Sequence, residues 1–169
     1  EKHADELIEL NNNIFMEPEL GYKEFKTARK FQDKLDALGL KHTDGVAITG
    51  GELIGAALPW HGTVLPDGVD SQVVRPNGRA ELSARYGVRL DDGRSFYIQN
   101  DGIRTVPAEY VETVLSGGIA PAEVYYCVTK PTFEVYDDSL GVLNDKLFVV
   151  NATRYPDSIL LEYYTVEIA

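Results

Sequence analysis
From Val46 onward, apolar and β-branched residues come only in short runs, each broken within about ten residues by glycine, proline or paired aspartates. No long helix fits that rhythm. It reads as antiparallel sheet, with candidate strands over 46–54, 57–65, 71–75, 79–90, 94–100, 123–130, 132–136, 146–153 and 158–168. Asp91, Asp92 and Gly93 predict a tight hairpin turn, because Asp and Gly accept the left-handed backbone such a loop requires. One helix interrupts the strands: Pro107 suits its first turn, Tyr110, Val111, Val114 and Leu115 form its apolar side, and Gly117 ends it. So many short strands leave two open edges unless the sheet curls shut, and closure into a barrel is the usual solution. The expected fold is therefore mainly β, a closed antiparallel barrel, with a sandwich as the alternative.

Ahead of the sheet, the periodicity changes to that of helices. Leu7, Ile8, Leu10, Ile14 and Phe15 recur at helical spacing over 4–16, and Phe25, Ala28, Phe31, Leu35 and Leu38 over 22–38. Pro18 separates the two, and Gly39 followed by Leu40 supplies a left-handed stop with its apolar partner. This predicts a helical hairpin over 1–45 in front of a barrel domain over 46–169. A hairpin this small cannot bury both stripes alone, so it is expected to dock on the rest of the chain or on a second copy.

Charge narrows the partners. A net charge of −11 repels phosphate backbones, and no arginine-rich run offsets it locally, so nucleic acid is not expected. No apolar run approaches the roughly 20 residues of a membrane-spanning helix, and no basic stretch precedes an apolar signal region. The expected location is the cytoplasm, without membrane contact. The lone Cys127 lies in the apolar run VYYCV and reads as a small packed hydrophobe.

Two resemblances sharpen this reading. IFMEPELGYKEFKTARKFQDKLDALGL, followed by DGVAITG, resembles the N-terminal helices of aminoacylase and carboxypeptidase type zinc hydrolases. That family implies a metal pair held by a His-x-Asp motif and later ligands. Here the nearest approach is His61, Gly62 and Thr63, which lacks the carboxylate, so no metal and no peptidase chemistry are expected. From about Ile48 to Glu167, the runs ITGGELIG, VLPDGVDSQVVRPNGRAELSARYGVRLDDGRSFYIQNDGIR, AEVYYCVTKPTFEV and VLNDKLFVV, with a final YYTVE, resemble the barrel proteins of domain of unknown function 3237. The resemblance implies a lipocalin-like barrel that often self-associates, with no agreed reaction. The family pattern favours Trp at Ser71, Asp at Ser83 and Trp at Val142. The smaller residues here imply a more open barrel mouth or a gap covered by the added helices, and they put any family acid–base chemistry in doubt.

Strand alternation supplies the candidate site. Over 79–90 it puts Arg79, Glu81, Ser83, Arg85 and Arg89 on one face and Ala80, Leu82, Ala84, Tyr86, Val88 and Leu90 on the other. Either the charged face is solvated, as in most half-buried sheets, or it turns inward and makes Glu81 and Arg85 a forked pair in a polar cavity. In the second case Glu81 is the candidate general base. On the next strand Phe96, Ile98 and Asn100 oppose Ser95, Tyr97, Gln99 and Asp101, and Tyr97 is the candidate proton donor. The candidate catalytic set is thus Glu81, Arg85 and Tyr97, with Tyr86, Asn100, Tyr126 and Trp60 as candidate ligand contacts. Of the adjacent pairs Tyr125–Tyr126 and Tyr163–Tyr164, at most one member each faces inward. His61 sits at a rim without an evident partner, and no nucleotide-binding or nucleophile motif is present, so no cofactor is expected. The leading expectation is a barrel that binds a compact apolar or aromatic metabolite, with a metal-free and nucleotide-free reaction on it left open. The alternative is a non-catalytic module in which the hairpin mediates self-association or docks a partner.

Overall fold
In the computed structural model, residues 3–18, 25–42 and 45–168 are described. The chain forms two compact units, Glu1–His42 and Thr43–Ala169.

The first unit contains α1 (Ala4–Met16), α2 (Phe25–Ala37) and the two-residue strand β1 (Lys41–His42). The expected start of the second helix at Tyr22 lies outside the described residues. Lys34 donates to Glu6, near the start of α1, while Lys30 donates to the Asn13 carbonyl at 2.9 Å and to Glu17 at 2.9 Å near its end. The helices therefore run antiparallel. Gly39 stops α2 with φ +69, its N–H bonding to Asp36 at 2.9 Å while the Leu40 N–H reaches back to Leu35 at 2.9 Å. These two bonds satisfy carbonyls that the helix end leaves free, and only glycine takes that backbone without penalty.

The second unit is mainly β, an antiparallel sheet curled into a half-barrel. Its strands are β2 (Val46–Ile48), β3 (Gly51–Ile54), β4 (His61–Val64), β5 (Gly68–Val74), β6 (Ala80–Leu90), β7 (Ser95–Thr105), β8 (Tyr126–Val135), β9 (Phe148–Arg154) and β10 (Ile159–Thr165). β4 and β5 lie end to end along β6, since Gly62–Val64 pair with Leu90–Val88 while Val69–Val74 pair with Arg85–Ala80. Pro66 and the left-handed Asp67 (φ 71) make the break, and Leu65 N–H keeps contact through the Gly87 carbonyl at 2.8 Å. β3 and β2 repeat the arrangement on β4 and β5. The remaining strands follow as a meander, β6 to β7, β8, β9 and β10.

The hairpin turn forms as expected at Asp91–Gly93, with Gly93 at φ +92 and Leu90 N–H bonded to the Arg94 carbonyl at 2.8 Å. Several expectations need correction. The strand expected over 46–54 is two, β2 and β3, parted at Gly50 with φ +145. β7 continues past Asn100 to Thr105 because Gly102 is no break: a Cβ there would lie 2.4 Å from the Val128 carbonyl, so the bare backbone permits close strand contact. The strands expected over 123–130 and 132–136 are the single strand β8. Pro131 is tolerated within it because the β8–β9 ladder is confined to Val128 and Thr129, leaving no donor missing at Pro131. The helix expected after Pro107 is a 3-10 turn, Ala108–Tyr110, followed by the short α3 (Val111–Leu115).

The core lies against one end of the sheet's concave face. Tyr86, Val88, Leu90, Phe96 and Ile98 from β6 and β7 pack with Leu140 and Leu143. The two leucines come from the 3-10 turn Asp138–Leu140 and from α4 (Val142–Asp145), a plug absent from the sequence reading. Phe133 stacks edge-on against Phe96 at 6.2 Å and Phe148 at 5.2 Å. Among the described residues no backbone ladder joins β10 to β2 or β3. The sheet is bridged by side chains instead: the hydroxyls of Tyr86 on β6 and Tyr163 on β10 share a hydrogen bond of 2.5 Å.

Candidate functional site
Strand pairing sorts the concave face into rows running across the sheet. Near the plug the rows are apolar, as in Tyr86, Ile98 and Phe133. Toward the other end they become polar. One row runs Asp70, Ala84, Asn100, Pro131; the next runs Gln72, Leu82, Gly102, Thr129, Val150, Tyr163; a third runs Val74, Ala80, Arg104, Cys127.

These inward polar groups are under-satisfied. Asn100 is 3% exposed and Thr129 5% exposed, and Asn100 Oδ1, Thr129 Oγ1, Asp70 Oδ1 and Arg104 Nε are buried without a hydrogen-bond partner. A buried polar atom left unpaired costs roughly 1–3 kcal/mol, so four on one face demand a reason. Burial pushes the Asp70 carboxyl above its ordinary range, against the Gln72 amide at 2.6 Å, a backbone bond from Ser83 and the more distant Arg104 and Arg154. Burial likewise raises the Tyr86 phenol, opposed by hydrogen bonds with Tyr163 and Asn100, and pushes Tyr163 well above its usual value with Tyr86 adding to the effect. Cys127 is raised by burial and pulled down by Arg104. At neutral pH both phenols and the thiol keep their protons and can act as donors.

The candidate residues read from sequence fall on both sides of the sheet. Tyr86 and Asn100 point into the concave face. Glu81, Arg85 and Tyr97 share the outer face, where Tyr97 is 38% exposed. Glu81 is forked by Arg75 at 2.9 Å and Arg79 at 2.6 Å rather than by Arg85, which donates to Ser83 at 3.1 Å. Hydrogen bonds from Arg75 and then Arg79 hold the Glu81 carboxyl below its ordinary range. A solvated carboxylate with a lowered pKa is a weak base, so the arrangement does not favour inward acid–base work by Glu81. The charged face of β6 is solvated because the alternate residues, from Ala80 to Leu90, bring the apolar surface the core needs.

Tyr126 points outward and is 54% exposed, whereas Tyr125 turns inward. The 3-10 turn Ala122–Val124 sets that parity, which the bare pair of tyrosines leaves open. Trp60 packs on the apolar core beneath Arg94, 5.9 Å from its ring, at the end away from the polar rows. His61, read as lacking partners, has two: Asp91 at 2.9 Å and Glu52 at 2.9 Å. Ser71 and Ser83 pair with each other, and with Ser83 donating to Asp101 at 2.6 Å they lie on the outer face, so their small size opens no interior space. Val142 packs on the core.

Asp70, Arg104 and Thr129 were missed by sequence reasoning, and of the pair Tyr163–Tyr164 it is Tyr163 that turns inward, to Tyr86. Asp70 and Arg104 lie outside the strands expected over 71–75 and 94–100, and Thr129 lies on a strand whose inward face only register fixes. Among the described residues, no group of three or more His, Cys, Asp or Glu side chains is placed to hold a metal ion, and no helix is long and apolar enough to cross a membrane.

A curled antiparallel sheet with an apolar plug at one end and buried polar groups at the other defines a barrel-like protein with a concave face. The chain belongs to the family described as protein of unknown function (DUF3237), whose model matches residues 30–166. It is 50% identical over 107 residues to a UPF0311 protein of Clostridium acetobutylicum, covering 63% of this chain and 68% of that one. Among solved structures it is similar to a protein of unknown function from the same organism (TM-score 0.66, 39% identity, 76% of this chain and 93% of that one). A beta-barrel like protein from Acinetobacter baumannii matches with TM-score 0.61 and 27% identity over 76% of this chain and 86% of that one.

Proposed function
We propose that the concave face binds a compact metabolite, its apolar or aromatic body against Tyr86, Ile98 and Tyr163 and its polar groups bonded to Asn100, Thr129 and Asp70. One observation carries this reading: the buried Asn100 Oδ1 and Thr129 Oγ1 have no partner, yet sit on neighbouring strands of one face. Small-molecule sites are commonly apolar concavities with a few convergent polar groups. The reading is tested by a thermal-shift panel of compact aromatic and apolar metabolites on the full chain. A ligand at a hundred times its Kd stabilises by about 2.7 kcal/mol, and Asn100→Leu should abolish that shift. A panel that leaves the wild-type melting curve unmoved overturns it.

A second reading concerns association. None of the α1 side chains is buried, and Leu7, Ile8, Phe15 and Phe31 of the hairpin are exposed. On this reading a second copy covers that stripe, as the sequence suggested for the hairpin. Leu7→Glu with Phe15→Glu should then lower the oligomeric state in sedimentation, and an unchanged sedimentation coefficient counts against it.

A further inference from the structure
Past the third polar row, the concave face ends in a small cavity where Arg104, from β7, and Arg154, from the end of β9, meet Tyr125. Its other walls are apolar and include Val106, Val114 and Ile119. In a chain of net charge −11, carboxylates are plentiful, and Arg75, Arg79 and Arg94 each hold one. Among the described residues Arg104 and Arg154 form no ion pair, and Arg104 Nε is buried without any acceptor. Two guanidinium groups turned to one cavity repel each other, and low-polarity walls strengthen that repulsion.

Asp70 is the carboxylate that acts on both arginines; Gln72 holds its Oδ2 at 2.6 Å and its Oδ1 has no hydrogen-bond partner, so it acts on them without forming an ion pair with either. Burial, with Arg154 adding in the same direction, pulls Arg104 below its ordinary value against Cys127, Tyr125 and Asp70. An unpaired cationic pair is stabilised by a bound anion, and the planar fork of arginine matches a carboxylate edge. The enclosed part of the cavity has room for about one water-sized group, enough for one oxygen of an anion that enters from its open side.

We propose that Arg104 and Arg154 form a carboxylate site, so that the ligand of the concave face is a compact organic acid with its carboxylate between the two guanidinium groups and its body lying back toward Thr129 and Asn100. This rests on the binding reading above, from which it is separable by experiment. The probes are acetate, benzoate and phenylacetate, each against its neutral amide, with inorganic phosphate as a further arm. They are added to the full chain while the Arg104 Nε–H resonance is followed by NMR and the affinity by calorimetry.

The expected result is a shift of the Arg104 signal with at least one carboxylate and not with its amide, and affinity at least tenfold weaker in each of Arg104→Gln and Arg154→Gln. Circular dichroism of both variants should match wild type. No shift with any of the three acids, equal binding by the glutamine variants, or a response to phosphate alone overturns the carboxylate site. If neutral metabolites bind through Asn100 while no acid engages Arg104, the binding reading stands and this one fails. If an acid engages Arg104 and Asn100→Leu has no effect on any ligand, the reverse holds.

Discussion
At the scale of single residues, burial and charge make opposite demands on the two faces of the sheet. His61 stands on the outside between Asp91 and Glu52, and its pKa is raised by Asp91 first and Glu52 second. A histidine raised in the folded state stabilises the fold fully below its unfolded pKa of about 6.5, and that contribution is lost as pH rises through the folded value. NMR titration of His61 should therefore give a midpoint above that of a free histidine, and Asp91→Asn should move it down. An unmoved midpoint would show that the contact does not persist in solution. On the inside, Thr129 carries a hydroxyl with no partner. Thr129→Val keeps the shape and removes the cost, so the urea midpoint should rise by the equivalent of about 1 kcal/mol with the slope unchanged. A fall would mean the hydroxyl is satisfied in solution.

At the scale of elements, β7 and β8 form the floor of the candidate site, and their close approach depends on Gly102. The nearest atoms to a Cβ there are the Val128 carbonyl and the Thr129 backbone, neither of which can swing aside. Gly102→Ala should destabilise the unit by about 1–3 kcal/mol, the usual range for overpacking, and should separate Arg104 from Cys127. Denaturant unfolding measures the first effect and backbone chemical shifts of Thr129 the second. Most strands were legible from alternation, because a half-buried strand must alternate. The plug Asp138–Leu140 and α4 was not, since turns this short carry no full helical period. The parity of Tyr125 and Tyr126 was equally hidden, because it depends on where a 3-10 turn releases the chain.

For the whole molecule, the division at His42 and Thr43 separates a unit with no fully buried helix face in α1 from one with its own core. Deleting residues 1–42 should leave far-UV dichroism dominated by sheet and a cooperative thermal transition for the remainder. A chain that loses cooperativity after that deletion would show that the hairpin is part of the core. The mainly β class, the helical hairpin and the turn at Asp91–Gly93 followed from sequence alone, because periodicity and left-handed backbone preferences are local properties. Which face of β6 turns inward, and the meeting of Asp70, Asn100, Arg104 and Thr129, were decided only by the tertiary structure. Those residues lie on three strands, β5, β7 and β8, and only register and the curl of the sheet bring them together.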